Sequence, residues 1–261
     1  MKRIYNLKIV SIPPEKLVFN PRLSLQSIPS SVDLREISTM PPVFNQGDIG
    51  SCTAQAFCAA FAFEHLEFMG SRLFLYYNER VLDNNVAIDS GATLTDGIKS
   101  LQTHGLCPES EWPYIEEKFA TKPPDSCYVS ALKHRAIKVY NVPKNLAAMQ
   151  ATLASGIPFV GGIKIFSSFE SKAVSQTGRV SMPKPRDKYL GGHAILICGY
   201  NNTTRQWIVR NSWGESWGDK GYFYLPYKYL LRPKLSADFW AIEAVDCEDE
   251  DETHEKHEGD D

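Results

Sequence analysis

The chemistry legible in this sequence starts from a thiol. Cys52 follows the run Gln46, Gly47, Asp48, Ile49, Gly50, Ser51. After it, Ala54, Phe57, Cys58, Phe61, His65 and Phe68 recur at helical spacing, and Gly70 stands where a helix would stop. The spacing predicts a buried helix over 52–69 with Ser51 as N-cap, which places Cys52 in its first turn. A thiol is a useful nucleophile at neutral pH only as the thiolate, and a helix N-terminus favours that charge through unpaired N–H groups and the macrodipole. A neighbouring imidazolium does more, so the site needs a histidine brought from elsewhere in the fold. Other candidates have plainer roles. Cys58 and Cys198 suit small buried hydrophobes, His65 packs on the same helix as Cys52, His104 precedes Gly105 where a cation suits a helix end, and no motif surrounds His134.

The elements that must position these groups divide the chain in two. A second helix is expected after Ser71, carrying Leu73, Leu75, Tyr76 and Tyr77. A third starts at Thr93, with Asp96 completing a capping box, and closes at Gly105. From about residue 133 the runs become strand-like: 136–142, 157–166, 193–200, 206–210, 221–225 and 239–245, with 145–154 the one helical segment. A helical half followed by a strand half predicts an α+β protein of two lobes, 28–132 and 133–246, with a cleft between them. Residues 1–27 hold Pro13, Pro14 and Pro21 among short apolar runs and are expected to form an extended strap. Residues 247–261 carry nine Asp or Glu against one Lys and almost nothing apolar, the composition of a disordered tail. One flexible pair there, His254 and His257, makes no closed metal site.

Composition narrows the function classes. Of 261 residues, 43% are hydrophobic and 23% charged, which suits a globular body with a substantial core. The formal net charge of -3 combines -8 in the tail with +5 elsewhere. No Lys/Arg stripe interleaved with aromatics points to nucleic acid, and no apolar run approaches the length of a membrane span. Asn6, Lys8 and Ser11 interrupt the apolar residues after the N-terminus, so a classical secretion signal is not expected. Location is left open between the cytoplasm and a non-classical route of export, and oligomeric state is not legible. Asn201 and Asn202 each begin an Asn-x-Thr triplet, a chance match in a protein that is not exported. Six cysteines in a chain of this length are no dense disulfide framework. Cys107 and Cys127 flank a Pro-rich loop and are a candidate pair whose bond geometry the sequence does not supply.

Several blocks together resemble one family. Gln46 to Cys52, with glutamine six residues before the cysteine, looks like the active-site segment of papain-like cysteine proteases. Gly192, His193 and Ala194 open a strand that ends in Gly199 and Tyr200, as the family's histidine segment does. Asn211, Ser212, Trp213 and Gly214, followed by Trp217, Gly218, Gly221 and Tyr222, resemble its asparagine segment. Pro29 to Arg35 is similar to the usual start of the mature enzyme. The blocks occur in family order over roughly 28–245, and their joint agreement is far more specific than any one motif.

The resemblance implies a papain-like fold, with a helical left lobe and an antiparallel β-barrel-like right lobe, and a hydrolase of polypeptides needing no metal or organic cofactor. It implies roles as well. Cys52 attacks the scissile carbonyl, and His193 holds the thiolate before protonating the leaving amine. Asn211 orients the far ring N–H, and Trp213 with Trp217 covers that bond. Gln46 and the Cys52 backbone N–H form the oxyanion hole. Gly91 pairs with substrate backbone, Gly192 offers it a carbonyl, and Ala92 and Ala194 border the pocket for the second residue before the cut.

Departures from the family pattern are informative. Ile49 stands where many secreted members have a cysteine, and its partner position falls at Ile88 or Asp89, so both halves of that bridge are absent. Thr53 replaces the usual tryptophan, and Gly-Ser-Cys-Thr-Ala resembles microbial members. No insertion with paired histidines marks an exopeptidase, so endopeptidase is expected. Two roles fit residues 1–27: a restraint lying in the cleft, or a passive strap. A catalytically silent relative and an acyl-transferring ligase are the rival functions; keeping Gln46, Cys52, His193 and Asn211 together argues against the first, and product masses with an added amine decide the second.

Overall fold

The computed structural model describes residues 3–9, 28–37, 40–65 and 68–247. The acidic tail from 248 onward and most of the N-terminal strap lie outside the described residues. Within them the chain is α+β. Helix α1 (Cys52–Glu64) is buried at every position from Cys52 to Phe63. Five alanines make this possible, because small side chains let neighbours close on all sides. The helix stops at Glu64, short of the predicted end, and His65 turns extended. Phe68 is buried as the periodicity demands, but by stacking on His134 with ring centroids 3.9 Å apart rather than by helical continuation.

Around α1 pack α2 (Arg72–Leu82), capped by Ser71, and α3 (Leu94–Thr103), whose Thr93 side chain accepts from the Asp96 N–H at 3.0 Å. A short α4 (Asp125–Ala131), too brief to show a period, completes this side.

The remaining elements form one antiparallel sheet. It contains β1 (Ser31–Asp33), β2 (His134–Asn141), β3 (Phe159–Phe166), β4 (Tyr189–Asn201), β5 (Gln206–Arg210), β6 (Tyr222–Pro226) and β7 (Ser236–Cys247). The strand order is β2-β7-β3-β4-β5-β6, with β1 adding to β4. Three helices accompany it: α5 (Leu146–Ala154), capped by Asn145, α6 (Lys172–Thr177) and α7 (Tyr227–Leu231). The latter two correct the expectation of a single helix here; at six and five residues they are too short for periodicity to register.

Strand β4 is the hub, paired with β1, β3 and β5 and packed against α1. Cys107 and Cys127 carry free thiols; their sulfurs and a Glu111 carboxylate oxygen lie within 4.8 Å of one another.

One buried group sits awkwardly where α1, α2 and α3 meet. The Glu79 carboxylate is fully buried, accepts from Thr53 Oγ1 at 2.6 Å, and leaves its other oxygen without a partner. Burial pushes its pKa up to about 8, with Thr53 and Arg80 pulling down and Asp96 pushing up. A carboxyl whose pKa is raised on folding stabilises the fold at low pH and loses that contribution as pH rises through the folded value. The thermal midpoint should therefore fall between about pH 5 and 8 more in the wild type than in Glu79→Gln, which keeps the Thr53 bond without the charge. Parallel pH profiles in calorimetry would contradict a buried, titrating Glu79.

Candidate active site

The N-terminus of α1 is left open by its own cap residue. Ser51 makes no capping bond; its Oγ instead meets Tyr114 Oη at 2.5 Å and accepts from Gln55 Nε2 at 3.1 Å. First-turn N–H groups thus keep their partial positive charge for whatever lies beyond. Cys52 sits there fully buried. It shares a buried cluster with Ala194, so α1 meets β4 one residue from His193.

His193 is also fully buried, and its two ring nitrogens differ. Nε2 lies 2.8 Å from Asn211 Oδ1, whereas Nδ1 makes no hydrogen bond among the described residues. Asn211 Oδ1 additionally accepts from the Ser212 N–H at 2.9 Å. A ring tied at Nε2 keeps Nδ1 as the nitrogen for proton exchange. Trp213 stacks on His193 at 4.9 Å, and Trp217 meets Trp213 edge-on at 4.8 Å, so indole covers the His193 side of the site.

Gln46 is anchored at both ends of its amide. Oε1 accepts from Ser212 Oγ at 2.7 Å, and Nε2 donates to the Ile49 carbonyl at 3.0 Å, leaving the second amide hydrogen uncommitted. Its backbone carbonyl accepts from Tyr114 Oη at 2.8 Å. The structure therefore brings Gln46, Cys52, His193, Asn211, Trp213 and Trp217 to one junction between α1 and the sheet.

Residues 3–9 run across this junction. The Leu7 N–H donates to the Gly192 carbonyl at 3.1 Å, and the Lys8 N–H to the Ala92 carbonyl at 3.0 Å. Leu7 is buried in the cluster that also holds Cys52 and Ala194. Gly91 has φ +67°, and a Cβ there would stand 2.0 Å from the Asn6 carbonyl oxygen, so only glycine admits the strap this closely. Gly91 N–H itself goes to Tyr76 Oη at 3.2 Å, so the backbone pairing on that wall falls at Ala92 instead. Tyr5 meets the His193 and Trp213 rings edge-on and donates from its hydroxyl to Glu170 at 2.5 Å. The Arg3 guanidinium lies 4.1 Å over Trp213, and Lys8 pairs with Asp83.

Covering the site decides its ionisation. Burial pushes the Cys52 thiol up to about 12, against the pull of nearby backbone N–H groups, with Glu79 adding to the rise. Burial brings His193 down to about 4, while the Asn211 bond opposes and Arg3 assists. Desolvation disfavours both charged forms, so burial favours the thiol and the neutral imidazole.

Sequence reasoning gives Tyr5 and Tyr114 no role at the site, and names Asp89 and Ser212 only as a bridge position and a motif member. Each acts through side-chain bonds to distant segments, and no local pattern announces such a bond.

Residues 28–230 match the family model described as papain family cysteine protease, and the chain belongs to that family. It is 41% identical over 230 residues, covering 82% of this chain and 74% of the other, to an uncharacterized peptidase C1-like protein of Acanthamoeba polyphaga mimivirus. Against Peptidase 1 of the mite Dermatophagoides farinae it is 30% identical over 205 residues, 78% of this chain and 62% of that protein's length. The crystal structure of xylellain, a cysteine protease from Xylella fastidiosa, superposes with a TM-score of 0.85 at 34% identity, covering 95% of this chain and 98% of that one.

Trp213 supplies much of the cover over His193, so Trp213→Ala should rehydrate the ring and raise its pKa from about 4 toward the ordinary 6.5. An NMR titration of the His193 ring reads the shift. An unchanged value would show that the indole does not set the ring's solvation.

Proposed function

We propose that this protein is a cysteine endopeptidase that cleaves polypeptides through a thioester on Cys52 and is held shut by its N-terminal strap. Cys52 gives its thiol proton to His193 as the sulfur adds to the scissile carbonyl, and the carbonyl oxygen takes up charge between the Cys52 N–H and the free amide hydrogen of Gln46. Collapse breaks the C–N bond as His193 hands its proton to the leaving amine. Water, deprotonated by the same ring, then hydrolyses the thioester and releases the second product. Asn211 holds the ring in one tautomer throughout.

The observation that carries this reading is the asymmetry of His193, bound through Nε2 to Asn211 and without a partner at Nδ1 among the described residues, next to Ala194, which shares a buried cluster with Cys52.

The direction of the strap supports the restraint. A substrate places its second residue before the cut at Ala92 and Ala194 and its leaving amine on the His193 side. The strap runs the other way: Arg3 and Tyr5 lie at Trp213 and His193, Leu7 beside Ala194, and Lys8 at Ala92. A reversed chain fills the cleft without presenting a peptide bond in the attacking geometry. The helical lobe is read as 28–132 and the β-rich lobe as 133–246, with residues 1–27 as the restraint.

An epoxysuccinyl inhibitor should label the active protein and leave Cys52→Ala unlabelled. Deleting residues 1–27 should raise peptidase turnover at least tenfold, and Leu7→Asp in the full chain should raise it in part. Labelling that persists in Cys52→Ala would overturn the nucleophile; a full-length rate equal to both variants would remove the restraint and leave the peptidase.

A further inference from the structure

The peptide plane between Ile49 and Gly50 is gripped from both sides. Its carbonyl accepts from Gln46 Nε2 at 3.0 Å. Its N–H donates to the Asp89 carboxylate, 2.9 Å from Oδ1 and 3.0 Å from Oδ2. A peptide unit is rigid, so fixing the N–H fixes the direction of the carbonyl as well. Asp89 therefore acts on Gln46 through one intervening plane, although the two side chains do not touch.

Asp89 is itself preset. Its Oδ1 accepts from the hydroxyl of Tyr76, a fully buried residue. The turn before it is held by Arg80, whose Nη1 donates to the Val86 carbonyl at 2.7 Å and the Ile88 carbonyl at 3.3 Å. Arg80 in turn lies 4.0 Å over the Tyr76 ring. Charge-assisted bonds from a carboxylate are stronger than neutral ones, and this one spans 39 residues to reach the segment just before Cys52. Gly50 makes the approach possible, since a Cβ there would stand 3.2 Å from Asp89 Oδ1 and 3.0 Å from Asn6 Nδ2.

We propose that Asp89 is a positioning residue for the oxyanion hole: by orienting the Ile49–Gly50 peptide plane it aims the Gln46 amide at the place where the carbonyl oxygen gains charge. The inference rests on the peptidase reading above. Asp89 contacts neither the thiol nor the imidazole. Its effect falls on the step that builds an oxyanion, and displacement at a saturated carbon builds none.

The test compares two reactions of the same sulfur. Full-length wild type, Asp89→Ala, Asp89→Asn, Gln46→Ala and the Gln46→Ala/Asp89→Ala double variant are incubated under reducing conditions until peptidase rates plateau. Active sites are then counted by epoxysuccinyl titration. Per titrated site, Asp89→Ala should lower kcat on a peptide about 10 to 100-fold, part of the 100 to 1,000-fold typical for a lost oxyanion donor. Alkylation of Cys52 by iodoacetamide, which needs no oxyanion, should change less than about threefold. Asp89→Asn keeps an acceptor for the Gly50 N–H and should recover most of kcat. In the Gln46→Ala background, Asp89→Ala should add less than about threefold, because interacting residues are not additive.

A merely structural Asp89 would lower both reactions together and act additively with Gln46→Ala; either result overturns the inference, as does an Asp89→Ala with wild-type kcat. If Asp89→Ala yields no titratable sites for want of folding, Asp89→Asn carries the same test: a loss of kcat equal to that of Gln46→Ala would contradict the role given to the acceptor. A wild type with no titratable site would instead overturn the peptidase reading, and this inference with it.

Discussion

Everything at the site depends on one packing contact, the N-terminal turn of a buried helix against the central strand of a sheet. Cys52 shares a buried cluster with Ala194 because α1 lies against β4, and that packing brings a thiol from one half of the chain to the strand that carries the imidazole. The alanines of α1 let the helix be buried on every side, and the hydrogen bonds of β1, β3 and β5 hold β4 in place. Both partners sit on buried elements, so precision here is a property of the core rather than of surface loops.

The same burial that makes the contact precise also makes it silent. A thiol and an imidazole both prefer their neutral forms when water is excluded, and residues 3–9 lie over the site together with Trp213. Strap and site are mutually adapted. Glycines at 91, 191 and 192 leave room for strap backbone, the Gly192 and Ala92 carbonyls accept its N–H groups, and Tyr5 and Arg3 lie on the aromatic cover of His193. On the proposed restraint, displacing the strap would return solvent and open the charged pair, so access and reactivity would be controlled by one event.

Much of this was legible in the sequence because the chemistry is carried by short blocks. The Gln46-to-Cys52 run, the strand opening at Gly192 and the Asn211-Ser212-Trp213 block each announce themselves locally, and the caps at Ser71 and Thr93 stand where composition put them. What stayed hidden acts at long range. Glu79 under the first turn of α1, Tyr114 on the Gln46 carbonyl, and Asp89 on the Gly50 N–H leave no periodic trace, since each is one residue meeting a group far away in the chain. The missing cysteine at Ile49 was visible as a loss, whereas the carboxylate bond one residue later was not visible as a gain. The end of α1 was misplaced for a related reason: Phe68 obeys the helical period while being buried by stacking on another element.

Restraint by the strap requires that it keep the pair uncharged. Ultraviolet difference absorbance of the thiolate, taken between each protein and its Cys52→Ser counterpart at pH 7, reads this directly. The full-length chain should show no thiolate signal and Leu7→Asp should show one. Equal thiolate in both would contradict the claim that burial by residues 3–9 sets the ionisation of Cys52 and His193.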